Sequence, residues 1–285
     1  MALGNEPLDI VIVVSDTHIG STVGLCPPLV NLDDGGTYKA STAQRWLWEC
    51  WLKFSSRVKT IADANPGATV NLIINGDAIE GDTKRRSKQV ITSNRATLLS
   101  LATDTLKPLV DISTRAFFIR GTAAHVGKSA ELEEELASDC TITERDESTA
   151  SWWELSAEFS GVRFDISHHG RVGGMPWTRA NPLGTLVVRT TLAYLEMGQP
   201  APHVVVRSHN HKYASSGDNY PMLAVATPAW QLATEYTHKL GIPEPADIGG
   251  LIFICDKGEY TWEKAIYHPK PKKIWKSPKP TSGKR

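Results

Sequence analysis

The chain lacks a net charge. Its 285 residues carry 31 basic and 31 acidic side chains. That balance excludes broad, sequence-blind coating of DNA, which needs many phosphate-neutralising contacts. Cysteine is scarce. Cys26, Cys50, Cys140 and Cys255 are widely spread and form no Cys-x-x-Cys pair, so they read as small buried apolar groups in a reducing compartment. No apolar run approaches the ~18 residues of a membrane span. The first residues show neither a basic start nor an apolar stretch before a cleavage site, so no signal peptide is expected. There is no internal repeat. These absences leave a soluble, cytoplasmic enzyme without membrane contact as the expectation, and they say nothing of oligomeric state.

Apolar residues make up 41% of the chain and include nine Trp, enough to fill the core of one large α/β domain. The even charge hides an asymmetry. From His268 onward there are seven basic residues and no acid, which leaves 24 basic against 31 acidic residues in the remainder. The expected division is a body over 1–267 and a basic, Lys/Pro-rich tail over 268–285, semi-extended and a candidate for contact with nucleic acid or an acidic partner. An acidic body suits a protein that holds divalent cations.

Leu8 to Val14 is a near-continuous run of β-branched residues, the pattern of a strand buried on both faces. Residues 21–39, rich in Gly, Pro and Asp, read as a long loop. Ser41 is placed to cap a helix reaching about Asp63, with Trp46, Leu47, Cys50, Trp51 and Phe54 at helical spacing. A second buried strand covers Thr69 to Ile74, and a helix over roughly 86–107 should stop at Pro108. Ala116 to Ile119 is a third strand. Ser129 to Ala137 reads as a helix with Glu on its exposed face. Trp152 to Phe159 and Val162 to Ser167 alternate like antiparallel strands around Ser160-Gly161. A helix over 183–197 and strands at Val204 to Val206, 222–226, 251–255 and 259–267 complete the body.

Five of these strands end in a short turn carrying Asp or His. In open α/β sheets ligands bind beyond the carboxyl ends of strands, so turns far apart in sequence can meet. Asp16-Thr17-His18 and His209-Asn210-His211 place ligand-type side chains at i and i+2, which point the same way in extended chain. Gly76 permits close backbone approach before the Asp77 carboxylate. His168-His169 adds two imidazoles, and His125 follows a further strand. Each signal alone also reads as a turn or capping residue. Together they hold six of the nine histidines, and imidazole with carboxylate is the donor set of divalent transition metals.

In this order, Asp16-x-His18, Asn75-Gly76-Asp77, Gly121-Thr122-Ala123-Ala124-His125, His168-His169-Gly170 and His209-x-His211 resemble the signature of calcineurin-like metallophosphoesterases. The Gly121-Thr122-x-x-His125 block resembles a variant of phage-type members, and a member like the DNA-repair exonucleases is the expectation. The resemblance spans residues 16 to 211. It implies a four-layer α/β/β/α sandwich of two mixed sheets with the site at their carboxyl edge. It implies two divalent ions, manganese, iron or zinc, and a metal-bridged hydroxide that attacks phosphorus. Asp16, His18 and His211 would hold the first ion, Asp77 would bridge, and His169 and His209 would hold the second. His169 is preferred to His168 because the family's ligand directly precedes Gly, and a one-residue slip turns the side chain elsewhere.

The third block departs from the family's Gly-Asn-His: Thr122 follows Gly121, and the histidine is His125. Thr122 is thereby a candidate oxygen donor and His125 a candidate acid for the leaving group. Ser208 also stands where Gly is usual. Asp165 and Asn75 are candidates to orient the imidazoles. Arg85 and Arg86 (with Lys84), Arg171 and Arg179 are candidate phosphate contacts, and Trp177 and Trp230 candidate platforms for a base. The implied reaction is hydrolysis of a phosphodiester, a nuclease substrate included. Phosphomonoester or phosphoprotein hydrolysis is the alternative enzyme reading, and a non-catalytic scaffold with a degraded metal site is the other.

Overall fold

The structure, a computed structural model, describes residues 8–81, 89–241, 244–269 and 275–276. In chain order its elements are β1 (Asp9–Val14), β2 (Leu29–Asn31), β3 (Thr37–Lys39), α1 (Thr42–Ala64), β4 (Thr69–Asn75), α2 (Arg95–Val110), β5 (Arg115–Ile119), α3 (Ala123–Val126) and α4 (Glu131–Asp139). They continue with β6 (Ser151–Trp152), β7 (Leu155–Phe159), β8 (Val162–His169), α5 (Asn181–Glu196), β9 (Val204–Ser208), β10 (Ala214–Ser215), β11 (Leu223–Ala226), α6 (Glu235–Lys239), β12 (Ile248–Asp256) and β13 (Glu259–Tyr267).

Two mixed sheets form. One has six strands in the order β13-β12-β1-β4-β5-β6, the other five in the order β10-β11-β9-β8-β7. The alternation of side chains along β1 shows how they stack. Ile10, Ile12 and Val14 join a core with α1, α2 and α4, while Val11 and Val13 join a second core with β8, β9 and β11. A third core packs Leu183 and Val187 of α5 against Val205, Ala224 and Ala226. Three apolar interfaces between helices, sheet, sheet and helix make a four-layer α/β/β/α sandwich. A strand apolar on both faces is what its middle layers require.

Helix α1 starts where its cap dictates. Ser41 Oγ accepts from Gln44 N at 3.1 Å, and the Gln44 side chain accepts from Ser41 N at 3.2 Å, a reciprocal capping box. Helix α2 differs from expectation at both ends. It begins at Arg95, with Asn94 Oδ1 accepting from Thr97 N, and its last turn includes Pro108. Pro108 removes one late hydrogen bond, and the residue that loses it, Asp104, is exposed to water. Residues 86–88 lie outside the described residues. The loop expected over 21–39 contains a short hairpin, β2 paired with β3.

The parallel strands run through the middle of each sheet: β1, β4 and β5 in one, β8, β9 and β11 in the other. Their carboxyl ends lie on one edge. Asn75 Nδ2 donates to Ser208 Oγ at 2.6 Å and to Ser167 O at 3.2 Å, joining the sheets there. Thr227 Oγ1 lies 2.6 Å from Ser15 Oγ and 2.8 Å from Ser208 Oγ. Ser208 thus serves as a polar pin between the sheets.

Candidate metal centre

Past their strands, the β1 and β4 turns are zipped together. Asp16 N donates to Gly76 O, and His18 N to Asp77 O, both at 3.0 Å. Nine non-glycine residues among those described have positive φ, and five of them are Asp16, His18, Asp77, His209 and His211. The left-handed region is costly for such side chains and persists only where the surroundings enforce it. Its concentration at these residues marks a site held by its backbone. Two glycines admit the close approach. A Cβ at Gly76 would strike the His168 ring, and one at Gly121 would strike Asp77.

Two three-residue groups result. Asp16, His18 and His211 bring their ligand-type atoms within 4.8 Å of one another, as do His168, His169 and His209. Asp77 lies between the groups. With Asp16 and His168 it forms a further such group, and its Oδ2 is 3.0 Å from His168 Nε2 and 3.9 Å from His209 Nδ1. Asp16 Oδ1 is buried and accepts no hydrogen bond, although His211 Nε2 is 3.2 Å away and His18 Nε2 4.0 Å. A buried carboxylate oxygen with only an ill-aligned imidazole beside it is poorly satisfied, and a cation among these groups would satisfy it. The nitrogen and oxygen donors around it suit a divalent transition metal.

The protonation states fit that use. Burial alone would raise the Asp16 carboxyl, but His211 and His168 outweigh it and hold it at about 2. Burial likewise opposes ionisation of Asp77, which the adjacent His168 carries well below the usual range. His18 is lowered, first by burial. Burial would lower His168 too, but the Asp77 carboxylate 3.0 Å away outweighs it and raises His168 to about 10, which favours a proton on this ring in the metal-free protein. Metal ligands must be deprotonated, so a bound cation takes that proton's place. The other ring nitrogen of His168 contacts Asn75 O at 2.7 Å. That backbone partner, not the Asn75 side chain, orients the ring. Asp165 orients no histidine here: it pairs with Arg207 at 2.7 Å.

Two acidic residues complete the site without a mark in the sequence. Glu80 Oε2 is 2.8 Å from His18 Nδ1, and its carboxylate is 3.0 Å from His125 Nδ1. The two rings meet edge-on at 4.6 Å. One carboxylate thus fixes His18 with Nε2 towards Asp16 and leaves Nε2 of His125 for other use. Burial would raise the Glu80 carboxyl, but hydrogen bonds from His125 and His18 hold it at about 2. A Glu80→Gln variant keeps one acceptor oxygen and loses both the second acceptor and the negative charge that faces the two rings. It is expected to weaken metal binding or turnover by roughly 10–100-fold with the melting temperature little changed, as read by metal titration and melting curves.

Glu133 is the second. Helix α4 was expected to expose its glutamates, but Glu133 is fully buried. Oε1 accepts from Ala78 N at 2.9 Å and Oε2 from Gly121 N at 2.5 Å. It ties the turns after β4 and β5 together, and an amphipathic reading of α4 has no place for an inward carboxylate.

His168 and His169 share the centre because β8 carries a bulge. Ile166 pairs with Val206 but His169 with Ser208, three residues against two. A bulge re-aims side chains that strict alternation would separate. Both His168 and His169 thus lie with His209 in one group. Thr122 Oγ1 sits among the imidazoles, 3.5 Å from His168, 3.4 Å from His169 and 3.2 Å from His209. Of the proposed substrate contacts, Arg171 is exposed just after the His169 turn, whereas Arg179 is engaged by Glu244 at 3.2 Å. Trp177 is exposed. Trp230 is fully buried against Trp51 and is excluded as a base platform. Arg85 and Arg86 lie outside the described residues, as does most of the basic tail. Among the described residues no helix is long and apolar enough to cross a membrane.

No family profile matches the chain, and no curated protein matches it. Solved structures do. Vacuolar Protein Sorting 29 from Cryptosporidium parvum is 12% identical, with 93% of this chain and 100% of that one covered and a TM-score of 0.44. A dimetal phosphatase from Danio rerio is 10% identical, covering 91% and 96% with a TM-score of 0.42. A 5'-nucleotidase from Candida albicans is 9% identical, covering 91% and 52% with a TM-score of 0.38. Likenesses this distant carry no conclusion about activity, which has to come from this chain's own residues.

Proposed function

We propose that the protein is a metal-dependent phosphoesterase of the calcineurin-like kind, acting on phosphodiesters. The observation that carries this reading is the buried Asp16 Oδ1, close to His18 and His211 yet accepting no well-aligned hydrogen bond, with Asp77 lying between that group and His168, His169 and His209. Asp16, His18 and His211 would hold one divalent ion, and His168, His169 and His209 a second, with Asp77 shared. Ions there would supply a nucleophilic hydroxide at neutral pH and neutralise charge developing on the phosphoryl oxygens.

The chain's own groups do the rest. Glu80 holds His125 by Nδ1, so Nε2 is the ring atom that can give a proton to a leaving oxygen. Burial would lower His125, but Glu80 and the nearby aspartates raise it, which keeps that proton available. Thr122 N donates to Asp77 Oδ1 at 2.6 Å and holds the shared carboxylate in place. The outer rim is open: His209 is 40% exposed and His125 30%. An open rim with Arg171 and Trp177 in the following loop favours a substrate that continues on both sides of phosphorus, hence the diester.

The test is a side-by-side assay with Mn²⁺ on a bis-aryl phosphate, an aryl monophosphate, a cyclic nucleotide and single-stranded DNA. Hydrolysis of the bis-aryl phosphate faster than the monophosphate is expected. Preference for the monophosphate would favour a phosphatase, and no hydrolysis of any would favour a scaffold.

A further inference from the structure

Helix α5 covers the outer face of the five-stranded sheet. Its inner side packs Leu183 and Val187 on Val205, Ala224 and Ala226. Its outer side is apolar as well. Val188, Leu192 and Leu195 are 51%, 53% and 71% exposed. They stand at i, i+4 and i+7, which makes one stripe on a helix. From Ala180 to His203 the only acidic or basic residues besides histidine are Arg189 and Glu196, in a chain that is 22% charged. Depletion of charge marks the middle of protein interfaces.

The stripe borders a groove of about 490 Å³. Val188 and Leu192 form one wall, and Pro202, Tyr220, Pro221 and Met222 line the rest. Gly184 lets the far wall lean on the helix, since a Cβ there would strike the Tyr220 hydroxyl. One face thus carries both an apolar helical stripe and a groove of the kind that receives one. A surface that holds both parts is self-complementary, which is what a two-fold interface requires.

The two charges select the partner. Helices α1, α2 and α6 pair exposed charges at i and i+4: Lys59 with Asp63, Lys107 with Asp111 and Lys239 with Glu235. Arg189 and Glu196 are seven residues apart, about 10 Å along the axis, too far to pair with each other. Neither has an ion-pair partner among the described residues. Each follows a stripe residue by one position, so both lie on the same flank. In two antiparallel helices like flanks face each other. A two-fold axis at Leu192 and Ala193, midway between the charges, sets Arg189 against the partner's Glu196 twice over. A lipid surface would call for a basic rim, whereas one charge of each sign, equally far from the middle of the stripe, matches a second copy.

We propose that two copies of this chain associate through α5, antiparallel across a two-fold axis near Leu192. Each stripe sits against the other's groove, and two Arg189–Glu196 pairs close the flank. The interface is on the outer face of the five-stranded sheet, so it stands apart from the metal reading.

Sedimentation equilibrium of the full chain at low salt tests it. Wild type is expected to be a dimer at about 100 μM, above the micromolar limit of ordinary interfaces. Leu192→Glu, at an exposed position, should keep the wild-type circular dichroism and sediment as a monomer. Arg189→Glu sets like charges opposite each other and should weaken dimerisation by about 10-fold, as should Glu196→Arg. The double variant Arg189→Glu/Glu196→Arg only exchanges the partners and should return to wild-type association. A monomeric wild type would overturn the proposal and leave the face to a different protein or to lipid. A dimer that none of the single variants weakens, or a double variant as weak as the singles, would overturn it too.

Discussion

Asp77→Ala is expected to fold and to lose turnover of every phosphoester tested, by at least about 10³-fold, the upper range for removing one preorganised electrostatic partner. The side chain has no substitute. Its Oδ1 accepts from Thr122 N and its Oδ2 faces His168, and it lies between the two halves of the centre. Asp77→Asn separates charge from shape. An amide oxygen can still accept from Thr122 N, so thermal stability should stay near wild type while turnover remains lost. Initial rates on the bis-aryl phosphate, together with melting curves, check both. An Asp77→Ala enzyme with wild-type rates would remove Asp77 from the centre.

The second large effect is on stability. Glu133→Ala is expected to destabilise the metal-free protein by about 2–5 kcal/mol in denaturant unfolding. Two buried backbone N–H groups, of Ala78 and Gly121, lose their acceptor. Each unsatisfied group costs roughly 1–3 kcal/mol. The wild type should also show a pH signature. Burial first, then the nearby Asp77 charge, raises the Glu133 carboxyl from 4.5 to about 7. A carboxyl raised on folding binds its proton more tightly in the folded state, so its contribution falls as pH rises from about 4.5 to about 7. The change is on the order of 3 kcal/mol. Glu133→Gln does not titrate, so wild type minus variant stability should decline across that window. A flat difference would show that Glu133 is already ionised. Asp16 and Glu80 act elsewhere: both are held at about 2, so the stability they contribute is lost only as pH falls below about 4.5.

Much of this site could be read before any coordinates. β1 and β4 are visible because middle-layer strands need apolar side chains on both faces. The turns after β1 and β9 are visible because ligand residues at i and i+2 are rare by chance, and Gly76-Asp77 marks the turn after β4. Helix α1 carries its own start signal in Ser41 and Gln44. What stayed hidden depends on distance or on backbone detail. Glu133 meets Ala78 across 55 positions and Glu80 meets His18 across 62, and no local pattern distinguishes them from surface acids. The bulge that brings His168 beside His169 has no sequence signal. Neither does the burial of Trp230, whose partner Trp51 lies on a helix far back in the chain. The left-handed backbone at five site residues is likewise invisible in residue types, since Asp and His adopt it only where the surrounding turns enforce it.

The decisive measurement is anomalous diffraction from crystals of the protein grown with zinc or manganese. Two peaks are expected, one among Asp16, His18 and His211 and one among His168, His169 and His209, both within reach of Asp77. Crystals that diffract well and show no metal peak at these side chains, or a peak bound by other residues, would contradict a two-ion centre.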